Sequence, residues 1–255
     1  MKKTLCMLAV LAASSAALAE TAALTFTTSD NTLQSINSSV DGLVVTTPTL
    51  TTVPRSDVGG DSSTSNNLST LGNGYVPSGL TSSALLTPNA NLQAANGFSQ
   101  TPGSWTLAFT LSNTTGADIA INGITLSAFG FNGSNQAQQA ARNVQFSLTF
   151  GATQFTCSGA DDNGDFVLAG NGATGNEVRP AAITDFDFAA NDGFTLASGE
   201  SVLITLETTH PTVGQGGTFA GLSGMALTYS SVPEPATATL SLLALAGLAA
   251  RRRRK

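Results

Sequence analysis

The sequence predicts an all-β protein, an antiparallel β-sandwich flanked by an N-terminal signal helix and a C-terminal hydrophobic helix. Three observations predict it. After Trp105, apolar and polar residues alternate over several short stretches, the period of a strand with one face in a core. Glycine, asparagine and aspartate separate those stretches, as turns require. Between Glu20 and Ser231 no stretch keeps apolar residues at helical spacing.

The chain begins with Lys2 and Lys3 before an apolar run from Leu5 to Leu18 that closes on Ala17-Leu18-Ala19. A charged start, a short apolar middle and a small-residue end make residues 1–19 a secretory signal peptide. Ala17 and Ala19 set the cleavage site, and Glu20 begins the mature chain. Cys6 lies near the start rather than at the cleavage point, so lipoprotein processing is not expected.

Residues 20–231 form the predicted β-sandwich domain. From Asp30 to Gly103 it is rich in Ser, Thr, Asn and Gly and is broken by Pro48, Pro54, Pro77, Pro88 and Pro102. That composition reads as loops with a few short strands, of which Gly42 to Thr47 is the best candidate. Parts of this stretch are expected to pack on the sheet, because long structureless loops are unusual in compact domains. "GGDSSTSNN" at Gly59 to Asn67 is expected to stay mobile.

The clear strands follow. Trp105, Leu107, Phe109 and Leu111 share one parity, as do Val144, Phe146, Leu148 and Phe150, then Val202, Ile204 and Leu206, then Met225, Leu227 and Tyr229. Phe109, Phe146, Leu148, Ile204 and Leu227 are therefore placed in the core. In "ADIAINGITLSAFGF" the apolar parity switches from Ile119 and Ile121 to Ile124 and Leu126, which predicts a bulge or tight turn at Asn122-Gly123. Asn163-Gly164 in "ADDNGDF" predicts a two-residue hairpin turn. Jelly-roll and immunoglobulin-like topologies both fit these strands.

Between Glu20 and Ser231 fifteen acidic side chains face only Arg55, Arg142 and Arg179, leaving twelve net negative charges. Nucleic acid is excluded as a partner, since it demands clustered Lys and Arg. Cys157 is the one cysteine beyond the signal peptide, so the mature monomer holds no internal disulfide. Roughly 210 residues suffice for a core without one. Cys157 reads as a small buried hydrophobe; His210, fifty-three residues away and directly before Pro211, gives no second member of a catalytic pair.

Few residues invite chemistry. Asp161, Asn163 and Asp165 alternate as in a calcium loop, but Phe166 and Gly172 stand where that loop needs Gly and Glu; the turn reading is favoured over the metal one. Asp185 and Asp187 share a strand face, the spacing of a glycosidase pair and equally of a solvated sheet surface, which is favoured. Trp105 shares its parity with core residues, leaving Tyr75 in "LGNGYVPSG" as the exposed aromatic for a sugar ring. The glycine-rich "GQGGTFAGLSG" enters a strand rather than a helix, so phosphate-loop logic is missing, and it reads as a flexible connection. No catalytic residue and no cofactor are implied.

The last 24 residues, "VPEPATATLSLLALAGLAARRRRK", have three parts. Pro233 and Pro235 hold their segment extended. Ala236 to Ala250 are mostly apolar but short of the roughly 20 residues of a full helical span. Arg251, Arg252, Arg253, Arg254 and Lys255 stop translocation on the inner side. Together they make a transient membrane stop with an exposed peptide outside it; a single short anchor is the alternative.

Val232, Pro233, Glu234 and Pro235, the apolar stretch and the basic cluster resemble the PEP-CTERM sorting signal of Gram-negative bacteria. That resemblance implies recognition by an exosortase, a membrane-embedded cysteine transpeptidase. The domain also resembles β-rich PEP-CTERM proteins of the verrucomicrobial type through "FTLSNTTGADIAINGITLSAFGFNGSNQ", "FTLASGESVLITLETT" and "GGTFAGLSGMAL", which implies a β-sandwich and no catalytic residues. The resemblance supplies an address and a fold and leaves the molecular role open; the role expected is that of a non-enzymatic, structural or adhesive component of the cell surface or extracellular matrix. Its implied partners are the Sec translocon, the inner membrane in passing and an exosortase-like enzyme. The alternative is a carbohydrate-binding, lectin-like module acting on host or matrix glycans, with an extracellular polysaccharide as partner; a glycosidase is a distant third.

Overall fold

The computed structural model describes residues 18–53, 55, 67–93, 102–190, 192–211 and 219–232. Both targeting segments fall almost wholly outside these residues: Ala17 does, as do Pro233, Glu234, Pro235 and Arg251 to Lys255, while Ala19 and Val232 are described. Among the described residues no helix is long and apolar enough to cross a membrane. The described residues form twelve strands: β1 (Glu20–Ser29), β2 (Thr32–Ser38), β3 (Leu43–Val53), β4 (Ser104–Asn113), β5 (Ile119–Phe131), β6 (Arg142–Phe150), β7 (Thr153–Cys157), β8 (Phe166–Leu168), β9 (Ile183–Ala190), β10 (Phe194–Leu196), β11 (Ser201–Thr209) and β12 (Phe219–Ser231).

Ten of them run in the order β2-β1-β12-β5-β9-β7-β6-β11-β4-β3, with β10 added beside β5 and β8 beside β6. All pairings are antiparallel. The two end strands, β2 and β3, pack side by side, so one sheet curls until it is nearly closed into a barrel. The expected all-β, antiparallel fold is present, as one continuous sheet nearly closed into a barrel.

The parity argument accounts for the core. Trp105, Leu107, Phe109 and Leu111 on β4, Val144, Leu148 and Phe150 on β6, and Ile204 and Leu206 on β11 are buried together with Leu227 on β12. Phe146 is 8 % exposed and packs against Phe166 and Phe186, ring centroids 5.6 and 5.7 Å away. Burying each such side chain contributes about 1.5–3 kcal/mol.

The parity switch in β5 is a bulge. Thr228 faces Gly123 and Tyr229 faces Ile121 across the ladder, leaving Asn122 as the extra, exposed residue. Ile119, Ile121, Ile124 and Leu126 consequently all point inward. A second bulge, at Thr47-Pro48 in β3, does the same for Leu43 before it and Leu50 after it. Proline donates no ladder hydrogen bond and fits there because β3 is an end strand.

Three expectations need correction. The stretch from residue 30 to 53 is more regular than its composition suggests: β2 and an eleven-residue β3 occupy most of it. Asn163-Gly164 is not a two-residue turn. The Gly164 N–H donates to the Asp161 carbonyl and the Asp161 N–H to the Asp165 carbonyl, while only Gly164 has positive φ, +82°; this is the three-residue loop with glycine in the left-handed position. The glycine-rich Gly214 to Gly224 is a connection only in part, since Phe219 to Gly224 already belong to β12. Of the predicted mobile segment, Gly59 to Asn67, all but Asn67 lies outside the described residues.

Residues 67–93 carry little regular structure yet pack closely. Leu68, Leu86, Ala90 and Leu92 join the barrel core, whereas Leu71 and Leu85 join Phe129, Phe131, Ala181 and Phe219 in a second cluster over one end. The backbones of Leu86 and Leu222 exchange two hydrogen bonds, 2.9 and 2.8 Å, which fastens this segment to β12.

Candidate functional site

The two ends of the barrel differ. At the near end the chain enters at Glu20 and leaves after Ser231, on adjacent strands, since Glu20 pairs with Tyr229. The connections β2–β3, β4–β5, β6–β7 and β10–β11 turn there in two to five residues. The Val232 N–H donates to the Asp118 carbonyl, 2.8 Å, so the ladder holds the chain up to the residue before Pro233. At the far end lie the long connections β3–β4, β5–β6 and β8–β9.

Tyr229, 4 % exposed, donates its hydroxyl to Glu20 Oε2 at 2.8 Å. Burial first, then this hydrogen bond and the carboxylate's charge, push the phenol up to about 12. The pair ties the first residue of β1 to the last turn of β12.

Among the described residues, two clefts open at the far end. One, about 350 Å³, is walled by hydroxyls of Thr28, Ser69, Thr70 and Ser82 over a floor of Leu71 and Leu85. Its hydroxyls are partly engaged, Thr28 Oγ1 with the Ser83 carbonyl at 3.2 Å and Thr70 Oγ1 with Asn31 Oδ1 at 2.9 Å.

The second, about 290 Å³, lies among Tyr75, the β5–β6 loop, the start of β6 and the β8–β9 connection. Its walls are set by backbone. Asn171 and Gly172 donate to the carbonyls of Gln138 and Gln139 at 2.9 and 3.1 Å. A methyl group on Gly170 would lie 2.5 Å from the Ala140 carbonyl carbon, so only glycine lets these connections meet. Most amides here hold the loops: Gln138 Nε2 donates to the Phe131 carbonyl, Gln139 Nε2 to the Gly175 carbonyl and Asn171 Nδ2 to the Arg179 carbonyl, all near 3 Å. Half-buried Tyr75 packs on the Phe129–Phe131–Phe219 cluster and shares the cleft with Gln136, Arg142 and Glu177.

The other sequence candidates fall elsewhere. Asp161 Oδ1 accepts the backbone N–H groups of Asn163 and Asp165, both at 2.9 Å, and buried Asp165 accepts from Gln145 Nε2 at 3.0 Å. These carboxylates organise the turn. Asp185 and Asp187 lie exposed on the outer face of β9, accepting the hydroxyls of Ser127 and Thr125 at 2.6 Å. Only Asp187 borders a hollow, about 370 Å³, over the β5 bulge. Trp105 is buried in the barrel. Cys157 ends β7 beside Phe188, His210 is exposed beyond β11, and β6 lies between those strands.

Sequence reasoning singled out Tyr75 but not the residues around it. The available signal was Arg142, one of three cations in a lysine-free domain.

Residues 231–255 match the family described as PEP-CTERM protein-sorting motif. No curated protein and no solved structure matches the chain. The matched residues begin where the ladder ends, at Ser231 and Val232 of the near end. The chain thus carries at its C-terminus a PEP-CTERM protein-sorting motif, which implies an exported surface protein processed by an exosortase-type enzyme.

Proposed function

We propose that this is a non-enzymatic structural or adhesive protein of the cell surface or extracellular matrix. It is exported through Sec by residues 1–19, paused in the inner membrane by residues 236–255 and cut near Pro233-Glu234-Pro235. The observation that supports this reading is the bond from Val232 to Asp118 at the end where β1 begins. Three residues, Pro233 to Pro235, span roughly 10 Å at most, so before the cut, while the tail is in the membrane, the barrel stands with its near end against the membrane. The far end, with both clefts, then faces outward.

Protease shaving of intact native cells tests it, comparing the full chain with a variant lacking residues 233–255. The full chain should be shaved from the cell surface, and the variant should be lost to the medium. Equal surface retention of both would overturn the role given to the tail. A second reading, a carbohydrate-binding module, is favoured by the cleft at Tyr75, because an aromatic ring beside amides suits a sugar. A glycan array with the full chain separates the two.

A further inference from the structure

We infer that the cleft at Tyr75 binds a single acidic sugar, a uronate unit, with Arg142 holding its carboxylate. This deepens the surface-protein reading and rests on it, since such a ligand is met outside the cell.

The argument starts from Arg142. It opens β6 and lines the cleft. Among the described residues its guanidinium makes one hydrogen bond, to the carbonyl of the preceding Ala141, long at 3.4 Å, and no ion pair. Among the described residues its Nε, which is buried, has no partner either. A buried donor on a charged group is costly to leave unpaired, and such groups call for an explanation. The nearest carboxylate in the cleft does not supply one: Glu177 Oε2 lies 2.9 Å from Arg179 and accepts the Thr174 N–H at 3.2 Å. Arg142 and Arg179 thus stand against Glu177 alone, giving a locally positive cleft on a domain with twelve net negative charges.

The planar guanidinium matches a carboxylate in a two-pronged, charge-assisted arrangement. Beside it, Tyr75 offers the edge or face of an aromatic ring for a pyranose, and the exposed side chain of Gln136, which makes no hydrogen bond among the described residues, offers both a donor and an acceptor for hydroxyls. A volume of about 290 Å³ suits one or two sugar rings rather than a long chain. The strongly acidic surface disfavours a densely charged polyuronate, because like charges repel across a Debye length of about 8 Å in physiological salt. A terminal or isolated uronate meets only the local positive field.

The test uses the full chain and two disaccharides that differ at one group: cellobiose, and its counterpart with glucuronate at the non-reducing end. Titration calorimetry should find the uronate bound at least about tenfold more tightly, with the difference shrinking as salt rises. Arg142→Gln should remove that preference and leave the affinity for cellobiose within about twofold. Because Arg142 begins a strand, Gln136→Glu is the second arm: this exposed position would place a negative charge in the cleft and weaken uronate binding about tenfold more than it weakens cellobiose binding. Equal binding of the two sugars, or a preference that survives both substitutions, overturns the uronate assignment. Binding of neither sugar overturns the site itself, and surface shaving of the same protein still reports independently on the surface reading.

Discussion

Replacing Thr208 with Val should make this protein more stable. Thr208 on β11 is fully buried, and its Oγ1 has no hydrogen-bond partner among the described residues. Its cross-strand neighbours are Trp105 on β4 and Phe146 on β6, and Trp105 Nε1 is likewise buried without a partner. A buried hydroxyl that makes no bond costs about 1–3 kcal/mol. Valine keeps the branched shape that suits a strand and replaces the hydroxyl with a methyl group, so the gain should be about 1–2 kcal/mol. For a domain of this size each kcal/mol raises Tm by about 2–4 °C. The assay is urea unfolding, in which the midpoint should rise at constant slope. A loss of about 1 kcal/mol or more would refute the reasoning and show that Thr208 and Trp105 are bridged by a buried water. In that case Trp105→Phe and Thr208→Val would be strongly non-additive in a double-mutant cycle.

Gly170→Ala should destabilise the domain by about 1–3 kcal/mol by forcing the β8–β9 connection off the Gln139–Ala140 backbone, and calorimetric binding should show the cleft at Tyr75 weakened alongside. For Tyr229 the folded pKa of about 12 lies above the unfolded value of 10.0. The unfolded chain therefore loses this proton first, and the contribution is complete below pH 10 and is lost as pH rises towards 12. Tyr229→Phe should flatten that alkaline decline in urea midpoints measured at pH 9 and 11.5. Cys157→Ala should leave sugar binding unchanged and lower stability by less than about 1.5 kcal/mol, since the thiol is only half-buried at the edge of the core and accepts a single long contact, 3.4 Å, from the Gly159 N–H; loss of binding with intact folding would restore a chemical role to the thiol.

The parts of the fold legible in the sequence are those where packing speaks through period two. Phe109, Leu148 and Ile204 declare their strands because each inward position must be apolar, and the Asn122 bulge is legible because it breaks that rule once. β1 carries the same signal in Ala22, Leu24 and Phe26, all buried, but these few residues follow directly on the signal peptide and invite less notice. β2 is harder to read because only Ile36 is buried along it; a strand at the seam has little apolar face to display. Sheet order is not legible at all, since the neighbour of β12 is β1, some two hundred residues away, and no local pattern encodes such a contact. The cleft is hidden for the same reason. Tyr75, Arg142 and Glu177 come from three separate parts of the chain, the β3–β4 connection, the start of β6 and the β8–β9 connection, whereas the sorting motif is contiguous and could be read residue by residue.

The central claim, that the chain ends in a processed address joined directly to a folded barrel, is tested most directly by the mass of the mature protein. Mass spectrometry of the surface fraction from the native host should find a C-terminus between Val232 and Pro235. Val232 is the last residue held by a described hydrogen bond, and the basic cluster Arg251 to Lys255 should be gone. Surface protein still ending in Lys255 would contradict the account and leave residues 236–255 as a simple anchor.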